Sequence, residues 1–191
     1  MNILRIGHRG SKGYVAENTL ESINHAILLG VDGIEIDVFK CLSGELVLSH
    51  ENNLKRLTGK SGQLEKLTLG ELKKFLVVGK YKIPTLTDVL KTIETPLFVN
   101  IELKGLNTAQ ATSKIITNLS KSTSWRLENF IISSFNWNEL EQFRSIDKNT
   151  PVGVLVSNSM SINKAIKFGK KINAQAIHPN FKLLNEKTVK K

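Results

Sequence analysis

Apolar residues along the chain come in two rhythms. Short continuous runs, at Ile3 to His8, Gly33 to Val38, Leu97 to Lys104, Phe130 to Ser134, Val152 to Val156 and Ala174 to His178, read as strands covered on both faces. Between them apolar residues recur at helical spacing. In "NTLESINHAILLG", Leu20, Ile23 and Ile27 share one side, Asn18 and Glu21 form a start signal, and Gly30 is a stop. "TLGELKKFL" repeats the device with Thr68 and Glu71, Pro84 precedes a third helix in "IPTLTDVLKTI", and residues 108–119, 137–146 and 161–170 supply further helices. Leu46 to Ser49 is a shorter extended piece that pairs locally after the second strand. Strands alternating with helices predict an α/β fold with a parallel sheet, either open or closed as a TIM-type barrel. Both place chemistry at the C-terminal ends of the strands.

Those ends carry the polar residues. In "GIEIDVF", Glu35 and Asp37 are one residue apart and share a strand face, with Ile36 opposite. "VNIELKG" repeats the geometry with Glu102 and Lys104. Adjacent inward carboxylates repel unless a cation compensates them, and three of them are able to hold one hard divalent ion beside Lys104. The first strand ends on His8 and Arg9, and "ELVLSHEN" ends on His50, a second acid/base group. Each piece alone has a structural explanation: an exposed edge for Glu35 and Asp37, an ion pair for Glu102 with Lys104, a cap or loop role for each His. Their recurrence at strand ends favours one phosphoryl-transfer site.

Composition narrows the setting. A chain of 191 residues at 40% apolar content is long enough for a core and short enough for one domain. Cys41 is alone, so no disulfide framework exists, and no apolar stretch reaches the length of a membrane span; a cytoplasmic protein is the expectation. The net charge is +10, and residues 164–191 hold eight Lys against one acid, Glu186. That end attracts anions. It lacks interleaved aromatics, so specific nucleic-acid binding is not expected and a solvated basic face is.

The series "HRG" (8–10), "ENT" (17–19), "EIDV" (35–38), "GELVLSHE" (44–51), "IPTL" (83–86), "IELK" (101–104) and "SSF" (133–135) resembles the glycerophosphodiester phosphodiesterase family. The resemblance implies a TIM-type (β/α) barrel spanning residues 1–191, with a small insertion after the second strand inside 39–96. It implies His8 and His50 as the acid/base pair, Arg9 and Lys104 as phosphate ligands, and Glu35, Asp37 and Glu102 as ligands of one divalent cation, Mg²⁺ or Ca²⁺. Glu17 and Asn18 look like support at the active-site end, although Asn18 also reads as a helix cap. The sequence departs from the family's pattern at Ala16, where a Pro is usual, at Cys41 and Ser43, and at Glu51, where an Asp is usual. Cys41 is assigned to packing.

"AIHPNFKLLNEKTVKK" resembles the family's sixth strand and the start of the next helix, and the family's last two β/α units have no counterpart here. An incomplete barrel exposes two sheet edges, which predicts self-association and lower stability and activity than a complete one. The implied reaction is metal-dependent hydrolysis of a glycerophosphodiester, a small-molecule substrate, to sn-glycerol 3-phosphate and an alcohol. The alternatives are a metal-independent acid/base phosphodiesterase, and an inactive or weakly active paralogue that binds phosphodiesters or lipid head groups without turnover.

Overall fold

The computed structural model describes residues 3–189; Lys190 and Lys191 of the basic end lie outside the described residues. In chain order the elements are β1 (Ile6–His8), α1 (Leu20–Leu28), β2 (Gly33–Lys40), β3 (Leu46–Leu48), α2 (Lys55–Thr58), α3 (Leu69–Leu72), β4 (Leu76–Val77), β5 (Tyr81–Lys82), α4 (Leu86–Thr92), β6 (Phe98–Leu103), α5 (Ala109–Ser122), β7 (Phe130–Ser134), α6 (Trp137–Ile146), β8 (Val152–Val156), α7 (Ile162–Lys171), β9 (Ala176–Pro179) and α8 (Glu186–Val189). The strands β1-β2-β6-β7-β8-β9 lie side by side in that order, every pair parallel, and β3 adds antiparallel to the end of β2. This is an incomplete TIM-type (β/α) barrel. Among the described residues, the outer edges of β1 and β9 carry no partner strand.

The two-residue period of the strands separates packing from chemistry. Ile34, Ile36 and Val38 on β2, Val99, Ile101 and Leu103 on β6, and Ile132, Val152 and Val154 form one core with Ile23, Ala26, Leu140, Phe143 and Ala165 of the helices. Each Val, Leu, Ile or Phe among them contributes roughly 1.5–3 kcal/mol by leaving water. The residues between them face the other way. Parallel register then lines up His8 with Glu35, Glu35 with Asn100, Asp37 with Glu102, and Glu102 with Ser133. A second, smaller core of Phe39, Cys41, Val47, Leu54, Leu57, Leu64, Leu72, Val77 and Ile83 supports the excursion between β2 and α4.

Several boundaries differ from the sequence expectation. The first strand starts at Ile6, three residues later than the apolar run, because the Arg5 backbone amide and guanidinium are bound to Asp32 and leave Ile3 and Leu4 exposed. The last strand starts at Ala176, because Ala174 still donates to the Gly169 carbonyl at 2.8 Å to close α7, with Asn173 in the left-handed region. The cap of α1 is Thr19, whose side chain accepts from the Ser22 amide, and not Asn18. Thr68 and Thr85 do cap α3 and α4 in reciprocal pairs with Glu71 and Asp88. On the β9 side, Ile162, Ile166, Ile177, Leu184 and Val189 line an open groove of about 740 Å³.

Candidate active site

The loop after β1 is held in a conformation that side chains rarely adopt. Arg9 has φ 52° and Gly10 φ 78°. The Arg9 carbonyl accepts from the Asn18 amide at 3.1 Å and from the Ser22 hydroxyl at 3.0 Å, which over-determines the turn. Gly10 has no alternative, since a Cβ there would stand 2.5 Å from the Ser22 hydroxyl. The turn aims the Arg9 amide at Glu35 Oε2, 2.9 Å away, and lays the guanidinium between two acids. Its Nη1 is 2.9 Å from Glu17 Oε1 and its Nε 3.3 Å from Asp37 Oδ2.

Glu35 and Asp37 on β2 and Glu102 on β6 meet on the inward face, with one ligand oxygen from each inside a 4.8 Å cluster. Burial drives the Glu35 carboxyl up to about 8, with Asp37 and Glu102 adding to the push and the Arg9 amide opposing it. Glu102 is raised as well, by burial and then Asp37, against the pull of Lys104, whose Nζ is 3.0 Å from Glu102 Oε1. Asp37 is held by Asn18, which donates to Oδ2 at 2.9 Å, while Asp37 Oδ1 is buried with no partner. A bare buried carboxylate oxygen among three crowded acids is what a hard divalent cation satisfies, so these residues fit such an ion.

Both imidazoles flank this cluster. His8 Nε2 is 3.8 Å from Glu35 Oε2, and His50 lies in the field of Asp37, Lys104, Arg9 and Glu17. Burial first, then nearby cations, lowers the pKa of each ring. His50 Nδ1 is buried without a hydrogen bond, and Glu51 Oε1 stands 3.8 Å from it. Thus His8, Arg9, Glu35, Asp37, His50, Glu102 and Lys104 all converge. Cys41 lies in the small core and donates to Glu45 at 3.3 Å.

Sequence reasoning passed over Arg56. From α2 its Nη2 donates to Glu17 Oε1 at 2.7 Å and its Nε to Glu51 Oε1 at 2.8 Å. No periodic signal marks an Arg in a short polar segment; only the fold brings it here.

Three carboxylates able to hold a divalent cation thus lie together with two cationic side chains beside them and two imidazoles at their edge. The sequence profile of the Glycerophosphoryl diester phosphodiesterase family matches residues 8–191, and the chain belongs to that family. The glycerophosphodiester phosphodiesterase of Caldanaerobacter subterraneus subsp. tengcongensis is 34% identical over 164 residues, covering 81% of this chain and 67% of that one. The crystal structure of the Thermotoga maritima glycerophosphodiester phosphodiesterase superposes with a TM-score of 0.83 at 29% identity, over 100% of this chain and 80% of that one. That of an Oleispira antarctica phosphodiesterase in complex with the product sn-glycerol-3-phosphate gives 0.86 at 26% identity, over 97% and 78%. The chain spans 64% of the length of a Bacillus subtilis relative that is 31% identical over 157 residues.

Proposed function

We propose that the protein hydrolyses glycerophosphodiesters to sn-glycerol 3-phosphate and an alcohol with the help of one divalent cation, Mg²⁺ or Ca²⁺, bound by Glu35, Asp37 and Glu102. The observation that carries this is the three-carboxylate cluster with an unsatisfied Asp37 oxygen, bordered by two imidazoles and two cationic side chains. The ion, when bound, supplies positive charge to the phosphate and makes an attacking oxygen more acidic. Arg9 and Lys104 bind and orient the phosphate and stabilise the charge that grows on its oxygens. One of His8 and His50 accepts the proton of the attacking oxygen, that of the adjacent glycerol hydroxyl or of water. A P–O bond forms to that oxygen, the P–O bond to the leaving alcohol breaks, and the other imidazole delivers a proton to the departing alkoxide; attack by water gives sn-glycerol 3-phosphate directly, whereas attack by the hydroxyl gives a cyclic phosphate that a water molecule then opens by breaking the new P–O bond. The lowered pKa of each ring favours the neutral form, which suits the accepting imidazole, while the donating imidazole must carry its proton at the start of the step.

The open edges of β1 and β9 and the apolar groove beside β9 support self-association, and the lone free thiol supports a reducing, cytoplasmic setting. A second reading of the same residues is a module that binds phosphodiesters or lipid head groups without turnover. Incubation with glycerophosphocholine separates the two. Release of choline and sn-glycerol 3-phosphate in equal amounts supports hydrolysis; saturable binding with neither product released supports the module. Release of phosphocholine and glycerol would overturn the assignment of which P–O bond breaks.

A further inference from the structure

We infer that Arg56 is a positioning residue that holds a phosphate ligand and an acid/base group in register at once. The inference rests on the assignment of Arg9 and His50 above. Arg56 sits on α2, in the excursion between β2 and β6, away from the strands that carry the carboxylates. It reaches two acids. Its Nη2 and Nη1 approach the two oxygens of Glu17, at 2.7 and 3.5 Å, and its Nε donates to Glu51 Oε1 at 2.8 Å.

Each acid faces a different part of the site. Glu17 Oε1, which accepts from Arg56, also accepts from Arg9 Nη1 at 2.9 Å. Glu17 is therefore shared between two guanidinium groups, and Arg56 carries part of its charge. Arg56 fixes Glu17, and Glu17 in turn anchors the Arg9 guanidinium; without Arg56 the carboxylate loses one of the two cations that hold it, and Arg9 loses a fixed anchor from which to meet a phosphate. Glu51 Oε1, which accepts from Arg56, is also the carboxylate oxygen 3.8 Å from the buried, unbonded His50 Nδ1. A carboxylate fixed in that place favours the proton on Nδ1 through its charge, without a hydrogen bond to it, and so leaves Nε2 for transfer. A single planar fork suits this work. The ammonium of a lysine has no rigid geometry to hold two carboxylates apart.

The expected result, with metal present, is that Arg56→Gln weakens binding of sn-glycerol 3-phosphate and raises KM by about tenfold, a loss on the scale of one charge-assisted hydrogen bond. It also lowers kcat by up to roughly 100-fold through misorientation. Imidazole ¹⁵N NMR should show His50 losing its Nδ1–H tautomer in R56Q. Arg56→Lys should recover product affinity only in part and leave the tautomer mixed. Glu17→Gln should reproduce the affinity defect without moving the tautomer, and Glu51→Gln the reverse. Lys55→Gln, on the exposed neighbour, is the control that leaves all of these unchanged. A folded R56Q with wild-type product affinity and wild-type His50 tautomer overturns the inference. If R56Q fails to fold, wild-type affinity in E17Q together with a wild-type tautomer in E51Q overturns it equally. Absence of turnover by the unmodified protein would count against the proposed reaction alone, since affinity and tautomer are read without it.

Discussion

Asn18 and Asp37 exchange hydrogen bonds: the Asn18 amide nitrogen donates to Asp37 Oδ2 at 2.9 Å, and the Asp37 backbone amide approaches Asn18 Oδ1 at 3.3 Å. One side chain therefore fixes both the backbone and the carboxylate of a candidate metal ligand, leaving Oδ1 as the free oxygen. Asn18→Ala should weaken Mg²⁺ or Ca²⁺ binding by roughly 10–100-fold, as loss of an outer-shell partner does. Titration calorimetry measures this directly; unchanged affinity would mean that Asp37 needs no such support.

The Glu35 carboxyl gives the metal-free protein a pH-dependent stability with a defined sign. Its pKa is pushed from 4.5 up to about 8 by burial beside Asp37 and Glu102, so the folded state holds this proton more tightly than the unfolded chain. The stabilisation is full below about pH 4.5 and is lost as pH rises through about 8. Urea midpoints in EDTA should therefore fall over that window, Glu35→Gln should flatten the fall, and saturating divalent ion should offset it. A midpoint that rises with pH in wild-type EDTA samples and not in E35Q would reverse the sign and refute the argument.

Glu139 is a buried carboxylate with a structural task. From α6 it accepts from the Asn107, Thr108 and Ala109 amides at 2.7, 3.1 and 3.2 Å and from the Thr108 hydroxyl at 3.0 Å, closing the start of α5. Glu139→Ala leaves the Thr108 and Ala109 amides buried and unpaired, although the Thr108 hydroxyl keeps the Gly105 carbonyl, and should cost about 3 kcal/mol in chemical denaturation. Glu139→Gln, which keeps an acceptor, should cost less.

The apolar groove of about 740 Å³ beside β9, with Leu184 and Val189 exposed along it, predicts a response to being covered. Covering the groove with a β/α segment appended after Lys191 should raise Tm and shift any oligomer toward monomer, as sedimentation would record. Equal Tm and an unchanged oligomeric state would show that this flank is stable without further strands.

Much of the site was legible because strands have a period of two. "EID" had to place Glu35 and Asp37 on one face, and "IELK" did the same for Glu102 and Lys104, so the fold needed only the parallel register of β2 with β6 to assemble the cluster. Helix starts were legible where a cap and its partner stood three apart, as at Thr68 and Thr85. Asn18 shows the limit. Asn and Thr both cap helices, and the neighbouring Thr19 took that role because Asn18 is turned toward Asp37. Arg56 lay beyond reach, since its partners are 39 residues upstream and 5 residues upstream in sequence and meet it only in the folded chain. The β4–β5 hairpin has two residues in each strand, too few for any alternation to show.

Hydrolysis is expected to depend on an ion held by Glu35, Asp37 and Glu102. The most direct measurement strips the protein with EDTA and follows choline release from glycerophosphocholine before and after Mg²⁺ or Ca²⁺ is returned, in the wild type and in a folded Glu35→Gln/Asp37→Asn double variant. Turnover should vanish on stripping, return with the ion in the wild type, and stay absent in the double variant. Turnover that persists in EDTA, or that the folded double variant retains, would contradict that dependence.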